Sequence, residues 1–154
     1  MFRSNPALGV GFQNFTEYNE LTAHNSFVLC FAELGTVGYF FWLGLLIVAI
    51  KQLGQVRQCE DDDVGESLLH RQATVLTASF AGMLAAAFFL SRSYTPILYL
   101  MIGFAFALHQ IARQEGHSLA LPSLYRVSRR IIGLELASIA AIYVLVRVNR
   151  LFAS

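Results

Sequence analysis

Charged side chains are scarce in this sequence, and their scarcity argues against an ordinary water-soluble domain. Only 14% of the 154 residues are Asp, Glu, Lys or Arg, whereas 56% are hydrophobic and the mean hydropathy is +0.55. Soluble domains carry about 25% charged residues. The net charge of +1 also excludes the strongly basic surface that binds nucleic acid. The composition therefore predicts one membrane domain whose partners include lipids and no nucleic acid.

Cysteine is rare as well. Cys30 lies in an apolar run and Cys59 follows a polar stretch, and the pair has the spacing of neither a metal site nor a disulfide framework. The first 20 residues lack the apolar core of a secretory signal. We therefore expect any membrane-insertion signal to lie in a later apolar segment.

Four apolar stretches are long enough to be considered as membrane spans. They cover residues 26–50, 72–91, 93–112 and 131–147, and the last is shorter and contains Glu135. In lipid the backbone must satisfy its own hydrogen bonds, so these stretches predict helices. We expect an all-α, multi-pass bundle of about four transmembrane helices.

The distribution of Lys and Arg predicts the orientation of this bundle. Seven lie on the side of loops 51–71 and 113–130, and four lie on the other side. The positive-inside rule then puts both loops in the cytoplasm. Residues 1–25 become an extracytoplasmic loop segment, followed by a membrane domain over 26–154. His70, His109 and His117 fall near the cytoplasmic side, away from His24, so we expect no metal site and no cofactor.

Local signals refine the helices. Pro96 suits the first turn of a helix, which predicts a short turn at 91–95 before it. Ala78, Gly82 and Ala86 recur every four residues, a spacing that lets a neighbouring helix approach closely.

The candidate functional residues lie near the start of the chain. His24 precedes Asn25 and Ser26, either of which can cap the first apolar helix. A neutral imidazole at this position can accept a proton, although capping or contact with lipid headgroups is an alternative. Glu33 lies about two turns into the helix, where a carboxylate is costly unless it faces protein, water or a cation. A hydrogen bond to a neighbouring helix is the structural alternative for Glu33.

A glycine-containing stretch lies upstream of these residues. Gly9 and Gly11 flank Val10 after a proline, a combination that allows tight turns and close approach of backbone to a ligand. A plain loop is the other interpretation of this stretch.

Together these motifs resemble the O-antigen ligase and polymerase superfamily. The order Gly-Val-Gly-x-x-Asn-Phe, His-Asn-Ser and Glu-Leu-Gly-x-x-Gly is similar to the extracytoplasmic loop and following helix of that family. Its ligase signature is a His and an Asn, Ser or Gln, nine residues, a Gly, two residues, and a Gly, Thr or Tyr. His24 and Asn25, with Gly35 and Gly38, match this spacing.

The resemblance implies an activity and roles for these residues. Family members transfer glycan from a polyprenyl-pyrophosphate donor to an acceptor sugar hydroxyl on lipid or glycan. The resemblance implies the inner membrane of a bacterium, with residues 1–25 as a periplasmic loop segment. It also implies catalytic roles for His24, Asn25 and Ser26. Substrate-binding roles fall to Glu33, Arg92 and the Gly9-Val10-Gly11 loop, since the guanidinium of Arg92 suits a phosphate.

The chain departs from the family in length. Family members contain more transmembrane helices, and the arginines credited with binding the donor lie largely upstream of this loop. The chain is therefore similar to the C-terminal part of the family architecture. The missing N-terminal helices, on a separate chain, are an expected partner. An inactive fragment or non-catalytic partner subunit is the alternative, and a transport or structural membrane protein is a third.

Overall fold

The computed structural model describes residues 6–15, 25–59, 68–91, 93–119 and 124–152. Regular structure in these ranges is entirely helical, in agreement with the predicted all-α class. In chain order the helices are α1 (Ser26–Val56), α2 (Leu68–Phe89), α3 (Pro96–Gln114) and α4 (Leu124–Phe152).

Three of the four helices are long and apolar enough to cross a membrane. They are α1, α2 and α3, whereas α4 is not among them. The fourth span over 131–147 thus stays a prediction, although a helix does cover these residues. Pro96 occupies the first turn of α3, as predicted, and the break between α2 and α3 includes residues 90–91 and 93–95.

Helix α1 is the centre of the bundle and packs against each of the other three helices. Its buried side chains recur every three or four residues, the spacing of one helix face. The face comprises Tyr39, Trp42, Leu46, Ala49, Leu53 and Val56. The Tyr39 hydroxyl also lies 2.7 Å from Ser138 Oγ on α4, which joins the first and last helices.

Helices α2 and α3 pack against α1 and against each other. On α2 the buried positions are Leu69, Ala73, Phe80 and Ala87. Ala78, Gly82 and Ala86, the small residues predicted to allow close helix packing, do not face α1 or α3 as a row, because Ala78 and Gly82 are exposed. A Cβ atom added at Gly82 would meet nothing within 4 Å. The described part of the chain therefore makes no close helix contact at this glycine.

Helix α1 is interrupted at Gly35, which differs from the continuous helix expected from residue 26. Gly35 has φ 66° and ψ −170°, outside the helical region. The rings of Phe27 and Trp42 lie 5.4 Å apart across this break. In a straight helix, residues so separated stand about 22 Å apart along the axis. The short part of α1 (26–34) is therefore folded back towards the long part (36–56).

The break in α1 is filled by the segment of residues 6–15. Thr36 N–H donates to Pro6 O at 3.1 Å, and Val37 N–H donates to Ala7 O at 3.2 Å. In return, Val10 N–H donates to Ala32 O at 3.0 Å, and Gly11 N–H donates to Glu33 O at 2.9 Å. A regular helix would have joined residues 36 to 32 and 37 to 33 by two bonds. Four bonds to the segment replace them.

We expect Gly35→Ala to destabilise the folded chain strongly. An added Cβ would clash with Ala7 O and Gly9 N, and the φ of +66° is unfavourable for alanine. Strain and overpacking together predict a loss of about 2 to 4 kcal/mol. Thermal unfolding of the detergent-solubilised protein measures this loss.

Gly82→Ala is the matched control, because the site is helical and open. It should leave stability unchanged or raise it by up to about 1 kcal/mol. Equal unfolding temperatures for the two variants would contradict the docking of the 6–15 segment into the break.

Candidate functional site

The start of α1 is held against the break between α2 and α3. Asn25, one of the two residues predicted as caps, is the N-cap, and its side-chain oxygen accepts from Phe27 N–H at 2.9 Å and Val28 N–H at 3.1 Å. Ser26 Oγ donates to Leu90 O at 2.6 Å, and Ser93 Oγ donates to Ser26 O at 2.8 Å. Ser26 and Ser93 are fully buried. These reciprocal bonds fix the first turn of α1 relative to residues 90–93.

The glycines of the 6–15 segment make its close approach to α1 possible. Gly9 has φ +70°, and a Cβ there would clash with Glu33 O. Gly11 has φ +96° and donates its N–H to the same carbonyl group. Asn14 closes the segment on itself, because its side-chain amide donates to Val10 O at 3.1 Å. The Gly9-Val10-Gly11 motif and Gly35 are thus two halves of one backbone contact.

Glu33 is buried beside this contact. Its side chain is 3% exposed, and Oε1 accepts from Phe15 N–H at 3.3 Å. Glu33 Oε2 has no hydrogen-bond partner among the residues that the structure describes. The Glu33 side chain therefore holds the end of the 6–15 segment. This contact differs from the predicted alternative, a hydrogen bond to a neighbouring helix.

Tyr94 links the same region to the start of α3. Its ring packs edge-on against Phe12, with ring centroids 4.7 Å apart. Burial, with a contribution from the nearby Glu33 carboxylate, raises the pKa of the Tyr94 phenol above its usual range. At neutral pH Tyr94 is therefore a neutral hydroxyl, able to donate a hydrogen bond towards Glu33.

The structure gathers most of the predicted site residues at one end of the molecule. Gly9, Val10, Gly11 and Glu33 meet at the break in α1, while Asn25 and Ser26 meet residues 90–93. His24 and Arg92 lie outside the described residues. Two other histidines contact the far end of α1, where His109 Nε2 lies 3.1 Å from Gln55 Oε1 and His70 Nδ1 lies 2.8 Å from Arg57 O.

Two residues of this region were not identified from the sequence. They are Ser93 and Tyr94, which contact Ser26 and Phe12 respectively. The predicted turn at 91–95 was the only available signal for Ser93 and Tyr94. Phe15 is the last residue of the Gly-Val-Gly-x-x-Asn-Phe motif, but it contacts Glu33 through its backbone N–H, a role that the motif does not indicate.

Comparison of the chain with protein-family models, with curated proteins and with solved structures finds no match. Of the residues that carry the motif resemblance, Gly9, Val10, Gly11, Glu33 and Gly35 meet at the break in α1, whereas His24 lies outside the described residues.

The raised pKa of Tyr94 predicts a loss of stability in alkaline solution. An unfolded tyrosine ionises near pH 10, whereas the folded Tyr94 stays protonated to higher pH. The contribution of Tyr94 to the free energy of unfolding is thus complete below about pH 10. It falls as the pH rises from there towards the raised pKa of the folded state. Unfolding of the wild type and Tyr94→Phe, compared from about pH 8 to about pH 11, should show a steeper decline for the wild type.

Parallel curves for the wild type and Tyr94→Phe over this pH range would contradict the burial of the Tyr94 phenol.

Proposed function

We propose that the chain is the C-terminal part of a membrane glycosyltransferase of the O-antigen ligase and polymerase type. It would transfer glycan from a polyprenyl-pyrophosphate donor to the hydroxyl of an acceptor sugar carried on lipid or glycan. The observation that supports this proposal is the contact of Gly9 and Gly11 with residues 33–35. The Gly-Val-Gly part and the Glu-Leu-Gly part of the motif are distant in sequence but contact each other, as parts of a single functional site would.

The reaction needs a base, and His24 is the proposed one. A sugar hydroxyl is too weak an acid to ionise beforehand, so its proton must leave as the new bond forms. The acceptor oxygen bonds to the anomeric carbon, the bond from that carbon to the pyrophosphate oxygen breaks, and the proton passes to the imidazole. Polyprenyl pyrophosphate is the leaving group. Asn25, which follows His24, would fix the imidazole through its cap of α1.

Arg92 is the proposed contact for the pyrophosphate. Its guanidinium matches phosphate oxygens and would neutralise the charge that grows there as the bond breaks. Arg92 immediately precedes Ser93 in the chain. The Ser93 hydroxyl donates a hydrogen bond to the carbonyl of Ser26, which lies two residues after His24. This connection supports the assignment of base and phosphate contact to one site. Gly9, Val10 and Gly11 would shape the loop over the acceptor, and the buried Glu33 would support that loop.

We expect His24→Ala to lower glycan transfer by about 10²- to 10⁴-fold, the usual value of general base catalysis. The chain is reconstituted in liposomes with a polyprenyl-pyrophosphate-linked oligosaccharide and a lipid-linked acceptor sugar, and release of polyprenyl pyrophosphate is measured. His117→Ala is the matched control, because His117 follows α3 and has no part in the proposed site.

Full activity of His24→Ala, with normal membrane insertion, would reject the histidine as base. No release by the wild-type chain alone would reject an independent enzyme and support the alternative of a non-catalytic partner subunit. The exposed Ala78 and Gly82 of α2 favour this alternative, since small residues allow further helices to pack closely.

The proposed location is the cytoplasmic membrane of a bacterium, with residues 1–25 on the extracytoplasmic side. The three apolar helices are compatible with a membrane protein. The side is proposed from the excess of Lys and Arg in loops 51–71 and 113–130. This arrangement would put His24 where a donor exported through the membrane meets its acceptor.

A topology reporter tests this orientation. Alkaline phosphatase inserted after Glu20 of the intact chain, so that α1 follows it, should be active because it folds outside the cytoplasm. A fusion in the 60–67 loop is the paired control and should be inactive. The reverse pattern would reject the catalytic scheme whatever the motif implies.

A further inference from the structure

The 6–15 segment presents apolar side chains outward. Leu8 is 72% exposed and Phe12 is 56% exposed. The whole stretch from residue 4 to residue 16 contains no charged residue. Large apolar side chains at the tip of a loop in water would gain nothing from this exposure.

The polar backbone of the same segment is turned inward. The N–H groups of Val10 and Gly11 and the carbonyl groups of Pro6 and Ala7 bond to α1. The carbonyl groups of Val10 and Gly11 accept from Asn14, through its side chain at 3.1 Å and its N–H at 3.3 Å. Non-helical backbone enters a membrane only when its polar groups are satisfied by protein or water, and the backbone groups named here meet that requirement.

The apolar surface of the segment continues onto the helices beside it. Phe12 packs on Tyr94, which lies just before α3. Phe88 and Phe89 at the end of α2 are 53% and 70% exposed, and Ile97 at the start of α3 is 62% exposed. These helices are compatible with membrane spans, so the outward face of Phe12 lies beside the rim of a lipid-facing surface.

We infer that the 6–15 segment lies in the lipid interface, with Leu8 and Phe12 inserted among the acyl chains nearest the headgroups. Continuity with the apolar ends of α2 and α3 favours lipid over a second protein as the occupant of this face. The segment is thus a membrane-contacting loop and not a free aqueous one. This inference is independent of the proposed glycan transfer and has its own test.

A tryptophan reporter in brominated lipid tests the inference. Trp42 is the single tryptophan and is 5% exposed, so Trp42→Phe gives a silent background. Leu8→Trp and Phe12→Trp then place the reporter on the segment. Phe104→Trp, at a 61% exposed position within α3, is the lipid reference. Gln58→Trp, at an exposed position just after α1, is the aqueous reference.

Each protein is reconstituted in phosphatidylcholine vesicles with or without bromine on the acyl chains. We expect Leu8→Trp and Phe12→Trp to lose a fraction of emission close to that of the lipid reference. The loss should be larger when the bromines lie near the headgroup than near the chain end. A loss no greater than that of Gln58→Trp overturns the inference, and blue-shifted emission without quenching also overturns it by showing a protein partner.

A second measurement applies if Trp42→Phe does not fold. Leu8→Cys is combined with Cys59→Ser and carries a nitroxide, while the fully buried Cys30 is protected from the label. Collision of the nitroxide with oxygen should exceed collision with a water-soluble nickel chelate. The opposite ratio overturns the inference without any change to the core.

Discussion

The backbone hydrogen bonds at the break in α1 are the constraint on which the rest of this structure depends. A helix in or near lipid that stops at Gly35 leaves carbonyl and N–H groups that water does not reach. Here the carbonyl groups of Ala32 and Glu33 and the N–H groups of Thr36 and Val37 all find partners in the 6–15 segment. The break is therefore stable only together with that segment. The mutual contact of Gly9 and Gly35 shows how closely the two backbones must approach.

The geometry of the proposed site follows from this break. Because the short part of α1 is folded back, its first residues reach the connection between α2 and α3 and not the outside of the bundle. The bonds between Ser26, Leu90 and Ser93 then join the beginning of α1 to that connection. A continuous helix would have carried Asn25 away from it. The fold thus brings the sequence neighbours of a proposed base and a proposed phosphate contact into one hydrogen-bonded unit.

The sequence predicts the helices well because they are set by local composition. The length of each apolar run, the cap at Asn25 and the position of Pro96 each depend on a few consecutive residues. The break at Gly35 was missed, because an apolar run around a glycine has the composition of a continuous helix. Its cause is tertiary: residues 6–11 supply the replacement hydrogen bonds from a distant part of the chain. The links of Ser26 to Ser93 and of Phe12 to Tyr94 were inaccessible for the same reason.

The position of Glu33 shows how the break also accommodates a carboxylate. In an unbroken transmembrane helix every nearby N–H is already engaged, so a buried carboxylate has no donor from its own backbone. The docked segment brings the free N–H of Phe15 to Glu33, and its aromatic contact brings Tyr94 alongside. The acid in turn anchors the end of the segment that fills the break. The break at Gly35 and the burial of Glu33 therefore depend on each other, because the irregular backbone supplies a polar contact that a regular helix lacks.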